Sequence, residues 1–117
     1  MHLRHTAVAA VAAVASLALL FATPCPAAAA EGEFRYTYYD DFGNRANGTL
    51  VDPASRVCHT LREVADPDTT EPAFAPQNLT GSTVTMFTGP DCDGEYYSLR
   101  PGGRASDRLE LRSAVFS

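Results

Sequence analysis

The chain has 117 residues, of which 45% are hydrophobic and 20% charged, and its formal net charge is −5. The chain has no lysine, and its nine arginines are dispersed along the sequence. Nucleic acid and anionic membranes require clustered positive charge, so the composition argues against both as partners. The length predicts a single small domain whose core is marginal without additional stabilisation.

The N-terminus predicts a secretory signal peptide. Arg4 supplies a positive charge, residues 7–21 are almost entirely apolar, and three alanines precede Glu31, where we place cleavage. A membrane anchor is the alternative, but the apolar run is shorter than the roughly 20 residues that span a bilayer. We therefore predict residues 1–30 as the signal peptide, residues 31–117 as one secreted domain, and no stable membrane anchor.

The cysteines predict one disulfide. Cys25 would be lost with the signal peptide, which leaves Cys58 and Cys92. A cysteine pair in a small secreted domain most simply forms a disulfide, which here closes a loop of about 35 residues and contributes about 3–4 kcal/mol. Free thiols or a metal site are the alternatives, but two cysteines and the adjacent His59 are too few ligands for structural zinc. We expect no cofactor.

The first half of the domain predicts strands joined by turns. Residues 34–39 are rich in aromatic residues and predict a strand, with the side chains of its alternate residues sharing a face. Residues 41–44 carry turn signals, and residues 49–51 predict the second strand of a hairpin. Residues 56–64 fit either a strand or a short helical turn, and we favour a strand.

Residues 65–79 contain three prolines and almost no periodic apolar signal, so we predict a long surface loop. This loop is either a plain connector, anchored to the domain by Phe74, or an exposed recognition loop stiffened by proline. The residues that it would offer to a partner are Asp66, Pro67, Pro72, Phe74 and Pro76.

The second half predicts further strands. Residues 84–87 and 95–99 read as two strands joined by a turn-rich run, in which Gly94 would supply a backbone conformation with positive φ. Within residues 109–115, one set of alternate positions holds Leu109, Leu111, Ser113 and Val115, and the other holds Glu110, Arg112 and Ala114. This alternation predicts one half-buried strand. The exposed turn offers a second candidate binding loop, with residues Thr88, Pro90, Asp91 and Asp93.

An aromatic residue, a glycine seven positions later and a following strand resemble a Greek-key motif of the βγ-crystallin superfamily. The residues that carry this resemblance are Phe87, Gly94, Tyr97, Leu99, Pro101, Gly102, Ser113 and Val115. The family packs two such motifs into one domain, and a fainter first copy shows the same spacing between Tyr36 and Gly43. The resemblance implies an all-β fold, in which two Greek-key motifs form a β-sandwich.

Members of this superfamily often bind calcium through paired Asn or Asp residues followed by a Ser/Thr pair, whose oxygens suit a hard cation. The first copy keeps Asn78, Ser82 and Thr83 but has Leu79 where a second acid or amide belongs. The second copy, residues 108–113, has arginines and leucines in place of oxygen donors. We expect degenerate sites and no bound metal, with Asn78 and Ser82 as the weak candidates.

The resemblance also implies a class of function, because small secreted bacterial proteins of this fold include metalloproteinase inhibitors and killer-toxin-like proteins. A sequence rich in alanine and arginine without lysine favours a bacterial origin. We expect a monomeric, non-enzymatic protein that binds another extracellular protein, such as a protease, through disulfide-supported loops. The predicted mature chain has one histidine, His59, and no G-x-S-x-G elbow. The alternative is an extracellular structural or calcium-binding domain of the same superfamily.

Overall fold

The computed structural model describes residues 28–117, so residues 1–27 of the predicted signal peptide lie outside the described residues. The strands are β1 Gly32–Tyr39, β2 Arg45–Val51, β3 Cys58–Thr60, β4 Ala73–Thr80, β5 Val84–Phe87, β6 Tyr96–Leu99, β7 Glu110–Leu111 and β8 Ser113–Phe116. Two short 3-10 turns lie at Arg62–Val64 and Pro90–Cys92. Within the described part of the chain, no helix has the length and apolar character to cross a bilayer.

The strands form two four-stranded antiparallel sheets, with the orders β2-β1-β4-β7 and β3-β8-β5-β6. Each half of the domain contributes its third strand to the sheet of the other half. Thus β3 pairs with β8, and β7 pairs with β4. The predictions of an all-β fold and of hairpins in both halves are confirmed.

The core lies between the two sheets, because one face of each sheet is apolar. The rings of Phe34 on β1 and Phe116 on β8 meet edge to face at 5.5 Å, and both side chains are fully buried. Met86 and Leu111 are fully buried in the same cluster. Burying each of these large side chains contributes about 1.5–3 kcal/mol, so the contact between the sheets is the main source of stability.

The interpretation of residues 65–79 as one long surface loop is wrong, because its second half is strand β4, which lies between β1 and β7. The register with β1 shifts beside Ala75, whose φ of 51° marks a bulge, so Pro76 is accommodated where the ladder is irregular. Pro76 is fully buried and Phe74 is 6% exposed, so neither is available to a partner as an exposed loop residue. The loop itself is limited to residues 65–72.

The prediction of one half-buried strand over residues 109–115 is also wrong. The segment contains β7 and β8, which belong to different sheets, and Arg112 lies between them. Residues 111–114 are buried in succession, so the alternation of the sequence does not correspond to one face. The chain passes from one sheet to the other at Arg112, so the strict alternation of buried and exposed side chains is interrupted there.

The segment 56–64 contains both of the alternatives that its sequence allows. Strand β3 comes first, and the 3-10 turn at Arg62–Val64 follows directly after Leu61. Leu61 and Val64 are fully buried, so this short turn closes one side of the core.

Residues 28–30 are part of the folded domain. Ala30 is fully buried, and its N–H donates a hydrogen bond to the carbonyl of Pro53 at 2.8 Å. The N–H of Ser55 donates to the carbonyl of Ala28 at 2.9 Å. The fold therefore includes three residues that precede the predicted cleavage position.

Candidate functional site

The two cysteines form the predicted disulfide, with an S–S distance of 2.04 Å and a Cα–Cα distance of 5.9 Å. The bond joins Cys58 on β3 to Cys92 in the turn between β5 and β6. The turn and its flanks, residues 88–93, are called the 88–93 loop below. The bond ties this loop to a strand from the other half of the domain, and it indicates an oxidising environment.

Ser113 holds the 88–93 loop from beneath. Its side chain is fully buried, and its Oγ donates a hydrogen bond of 2.6 Å to the carbonyl of Gly89. The same Oγ accepts a hydrogen bond of 2.8 Å from the N–H of Cys92. One hydroxyl thus fixes two points of the loop relative to β8.

Thr60 on β3 holds the outer part of the loop. The N–H of Asp91 donates to Thr60 Oγ1 at 3.0 Å, and Thr60 Oγ1 lies 3.3 Å from Asp91 Oδ1, to which it donates. The base of the loop is closed by a hydrogen bond of 2.9 Å from the N–H of Gly89 to the carbonyl of Asp93. Side chains from two other strands therefore determine the shape of this loop.

The backbone of the loop is in a conformation that residues other than glycine rarely adopt. Asp91 has φ 58° and ψ 30°, and Cys92 has φ 56°. Each such residue costs about 1–3 kcal/mol and persists only where the surrounding contacts impose it. The predicted positive φ of Gly94 is confirmed at 90°, and a Cβ there would lie 2.5 Å from Thr88 Oγ1.

The loop exposes acidic groups next to aromatic ones. Asp91 and Asp93 are exposed, whereas Thr88 and Pro90 are half-buried. The adjoining strand β6 continues this surface with Tyr96, which is 69% exposed, and with Tyr97, which is 43% exposed. Carboxylates and tyrosines of this kind can accept hydrogen bonds and provide apolar contact to a protein partner.

The other predicted loop, residues 65–72, is held by a residue that the sequence analysis missed. Arg112 is 7% exposed, and its Nη1 donates to the carbonyl of Val64 and to Thr70 Oγ1, both at 2.9 Å. Its Nη2 donates to the carbonyl of Thr70 at 2.7 Å. The only sequence signal is an arginine that interrupts an otherwise buried run.

Arg112 also connects the two predicted loops, because its own N–H donates to the carbonyl of Phe87, directly before the 88–93 loop. In the 65–72 loop, Asp66 and Pro67 are exposed and Pro72 is half-buried. These three residues are therefore accessible, unlike the two that lie in β4.

The weak metal candidates are used by the fold itself. Asn78 is fully buried, and its Oδ1 accepts hydrogen bonds from the N–H of Thr80 at 3.1 Å and from Thr80 Oγ1 at 2.7 Å. Its Nδ2 donates to the carbonyls of Ser82 and Leu99, at 2.8 and 3.1 Å. Among residues 28–117, no three His, Cys, Asp or Glu side chains are grouped to hold a metal.

Two titratable side chains outside the loops have structural contacts. Burial, followed by the hydrogen bond to Glu63 Oε1 at 2.8 Å, raises the pKa of Tyr36 well above its ordinary value. The ring of His59 packs edge to face on Phe116 at 5.7 Å, and its Nε2 lies 2.8 Å from the carbonyl of Ala54.

Comparison with protein-family models, curated proteins and solved structures gives no match to the chain.

Proposed function

We propose that this protein is a secreted, non-enzymatic binding domain of βγ-crystallin-like architecture that recognises another extracellular protein through the 88–93 loop. The strand order supports the architectural part. In each half, the fourth strand lies beside the first, the second flanks the first on its other side, and the third joins the opposite sheet. This arrangement is compatible with two Greek-key motifs that exchange one strand.

The observation that best supports a binding role is the conformation of the loop, which contacts from the rest of the domain impose. Asp91 and Cys92 both have positive φ, and the loop is held by the disulfide, by Ser113 and by Thr60. A loop that is ordered before binding loses less conformational entropy when a partner docks. Backbone strain that the surroundings impose is also concentrated at functional sites.

The shape of the loop limits how it would meet a protease, which is the partner class that we test first. The backbone is extended at Gly89 and Asp93, but the left-handed residues between them turn the chain sharply. A compact turn of this kind suits contact with the entrance of a protease cleft, rather than passage through the cleft as an extended substrate.

A panel of secreted metallo- and serine proteases tests this proposal. Residues 28–117 at micromolar concentration should slow at least one protease, and the double variant Asp91→Ala with Asp93→Ala should weaken that inhibition about tenfold or more. The matched control is Glu31→Ala, which removes an exposed carboxylate outside the loop. Inhibition by the double variant equal to that of the control variant would overturn the assignment of the loop, and no inhibition of any protease would remove this partner class.

A further inference from the structure

The turn between β1 and β2 presents a phenylalanine to solvent. Phe42 is 88% exposed. The turn beneath it is well fixed, because Asp40 Oδ1 accepts hydrogen bonds of 2.9 Å from the N–H groups of both Phe42 and Asn44. The N–H of Gly43 donates to the Asp40 carbonyl at 3.0 Å, with φ 78° at the glycine. The backbone that carries Phe42 is thus fixed, and its ring is presented to solvent without being packed against the domain.

Two surface depressions flank this turn, and they share Tyr39, Asp40 and Asp41. The larger, of about 450 Å³, lies between the turn and the 65–72 loop and includes Glu71. The smaller, of about 240 Å³, includes Glu63. No arginine lines either depression, although the described part of the chain has several exposed arginines.

The carboxylates around Phe42 form no salt bridge with the described residues, although Glu71 shares a neighbouring depression with Arg45. Among the described residues, the salt bridges join Arg35 to Glu33 and Arg45 to Asp107, and neither pair includes a carboxylate of the two depressions. Tyrosine rings beside carboxylates that form no salt bridge favour a guanidinium or ammonium group, by cation–π attraction and by charge-assisted hydrogen bonds.

We propose that this Phe42 surface, which comprises Tyr38, Tyr39, Asp41, Phe42, Glu63 and Glu71, is a second docking site, for a basic protein segment. Phe42 packs against apolar side chains of the segment, and arginine or lysine side chains of the segment lie in the two depressions beside it. A second copy of the chain is a poor occupant, because it would bring acidic surface against acidic surface. An anionic membrane is repelled for the same reason.

The proposal does not depend on the 88–93 loop. The probe is a synthetic hexapeptide of alternating leucine and arginine, titrated into residues 28–117 while backbone amide shifts are followed by NMR. We expect shift changes confined to residues 38–44, 63 and 69–71. Phe42→Ala should weaken binding about tenfold, and Asp41→Asn with Glu71→Gln should weaken it by a similar factor. All of these side chains are exposed or half-buried, so the variants should fold.

Two controls make the outcome decisive. Glu31→Gln removes an exposed carboxylate outside both proposed sites, and Val51→Ser removes apolar surface that is 65% exposed at the far end of β2. Both should leave peptide affinity unchanged within twofold. An equal loss of affinity in Glu31→Gln, or shift changes spread over all acidic residues, would overturn the proposal in favour of unspecific attraction. A dimer of residues 28–117 in sedimentation that Phe42→Ala abolishes would also overturn it, because the occupant would then be a second copy.

Discussion

Arg112 holds Thr70 by two hydrogen bonds, one of 2.9 Å to the threonine hydroxyl and one of 2.7 Å to its carbonyl. The two residues are 42 positions apart in the chain. Within the described residues, the arginine takes part in no salt bridge, so its acceptors are oxygens of the 65–72 loop and the carbonyl of Val64. A buried guanidinium requires such partners, because an unsatisfied buried charge is costly.

Arg112→Met should therefore lower the free energy of unfolding by about 2–4 kcal/mol, because the carbonyls of Val64 and Thr70 lose their donor. Arg112→Lys should cost about half as much, since an ammonium group cannot reproduce the planar fork of the guanidinium. Urea unfolding of residues 28–117 measures both effects. The control is Arg108→Met at an exposed position. A loss of stability for Arg112→Met that is no larger than for the control would contradict the role of Arg112 in holding the 65–72 loop.

Ser113→Ala should destabilise the 88–93 loop more than the rest of the domain. The change removes the hydroxyl that donates to the Gly89 carbonyl and accepts from the Cys92 N–H. Leaving these two groups without that partner should cost about 1–3 kcal/mol. Hydrogen exchange should become faster at the Cys92 amide while core amides of β1 change less. The matched control is Ser98→Ala on the exposed strand β6, and exchange that is unchanged at Cys92 would contradict the prediction.

The burial of Ala30 predicts that a chain starting at Glu31 is less stable than one starting at Ala28. Removing residues 28–30 loses the contacts of Ala30 and two backbone hydrogen bonds, so we expect a loss of about 1–2 kcal/mol. The control is Glu31→Ala in the chain that starts at Ala28, which keeps these contacts and should leave the stability unchanged. When the full-length chain is expressed in a secreting host, mass spectrometry of any exported product should find an N-terminus at or before Ala28. A secreted form that starts at Glu31 and is equally stable would contradict this prediction.

The raised pKa of Tyr36 predicts a loss of stability at alkaline pH. Its pKa is raised in the folded state, so above the ordinary tyrosine value of about 10 the unfolded chain releases this proton first. The stabilisation that the raised pKa of Tyr36 gives to the folded state is fully present below about pH 10. It decreases as the pH rises above that value, by up to about 1.4 kcal/mol per pH unit. Tyr36→Phe should make the pH dependence less steep in this range. Parallel curves for the two proteins in urea unfolding would show that another group is responsible.

Calcium titration tests the alternative function. Because Asn78 Oδ1 already accepts two hydrogen bonds, and its amide group holds the Ser82 carbonyl, we expect no binding heat and no change in Tm. Calorimetry and thermal unfolding at millimolar calcium provide the measurement. A clear rise in Tm that Asn78→Ala removes would show that this segment binds the ion after all.

Features of the fold that depend on neighbouring residues could be predicted from the sequence. The turn at residues 41–44 and the positive φ of Gly94 follow from local turn chemistry, which needs no knowledge of the rest of the chain. The disulfide could also be predicted, because only Cys58 and Cys92 were available in the domain.

Features that depend on distant partners could not be predicted. Pro76 indicates a loop by itself, and only the bulge against β1 allows a central strand to contain it. Arg112 looks like the polar half of an alternating strand until the sheets that receive β7 and β8 are known. For the candidate site, the 88–93 loop could be predicted from the sequence, but Thr60 and Ser113 could not be identified as its supports. Those hydrogen bonds span 31 and 21 residues of the chain.

The exchange of third strands makes the two halves of the domain mutually dependent. Without β7, strand β4 becomes an open edge, and without β3 the same happens to β8, so a half expressed alone would expose unpaired backbone where the intact domain has a ladder. The chain should consequently unfold in a single cooperative step. A cut between residues 80 and 84 leaves the two halves joined by the Cys58–Cys92 disulfide. Once that bond is reduced, the two fragments should be unstructured apart and should regain structure only when they are mixed.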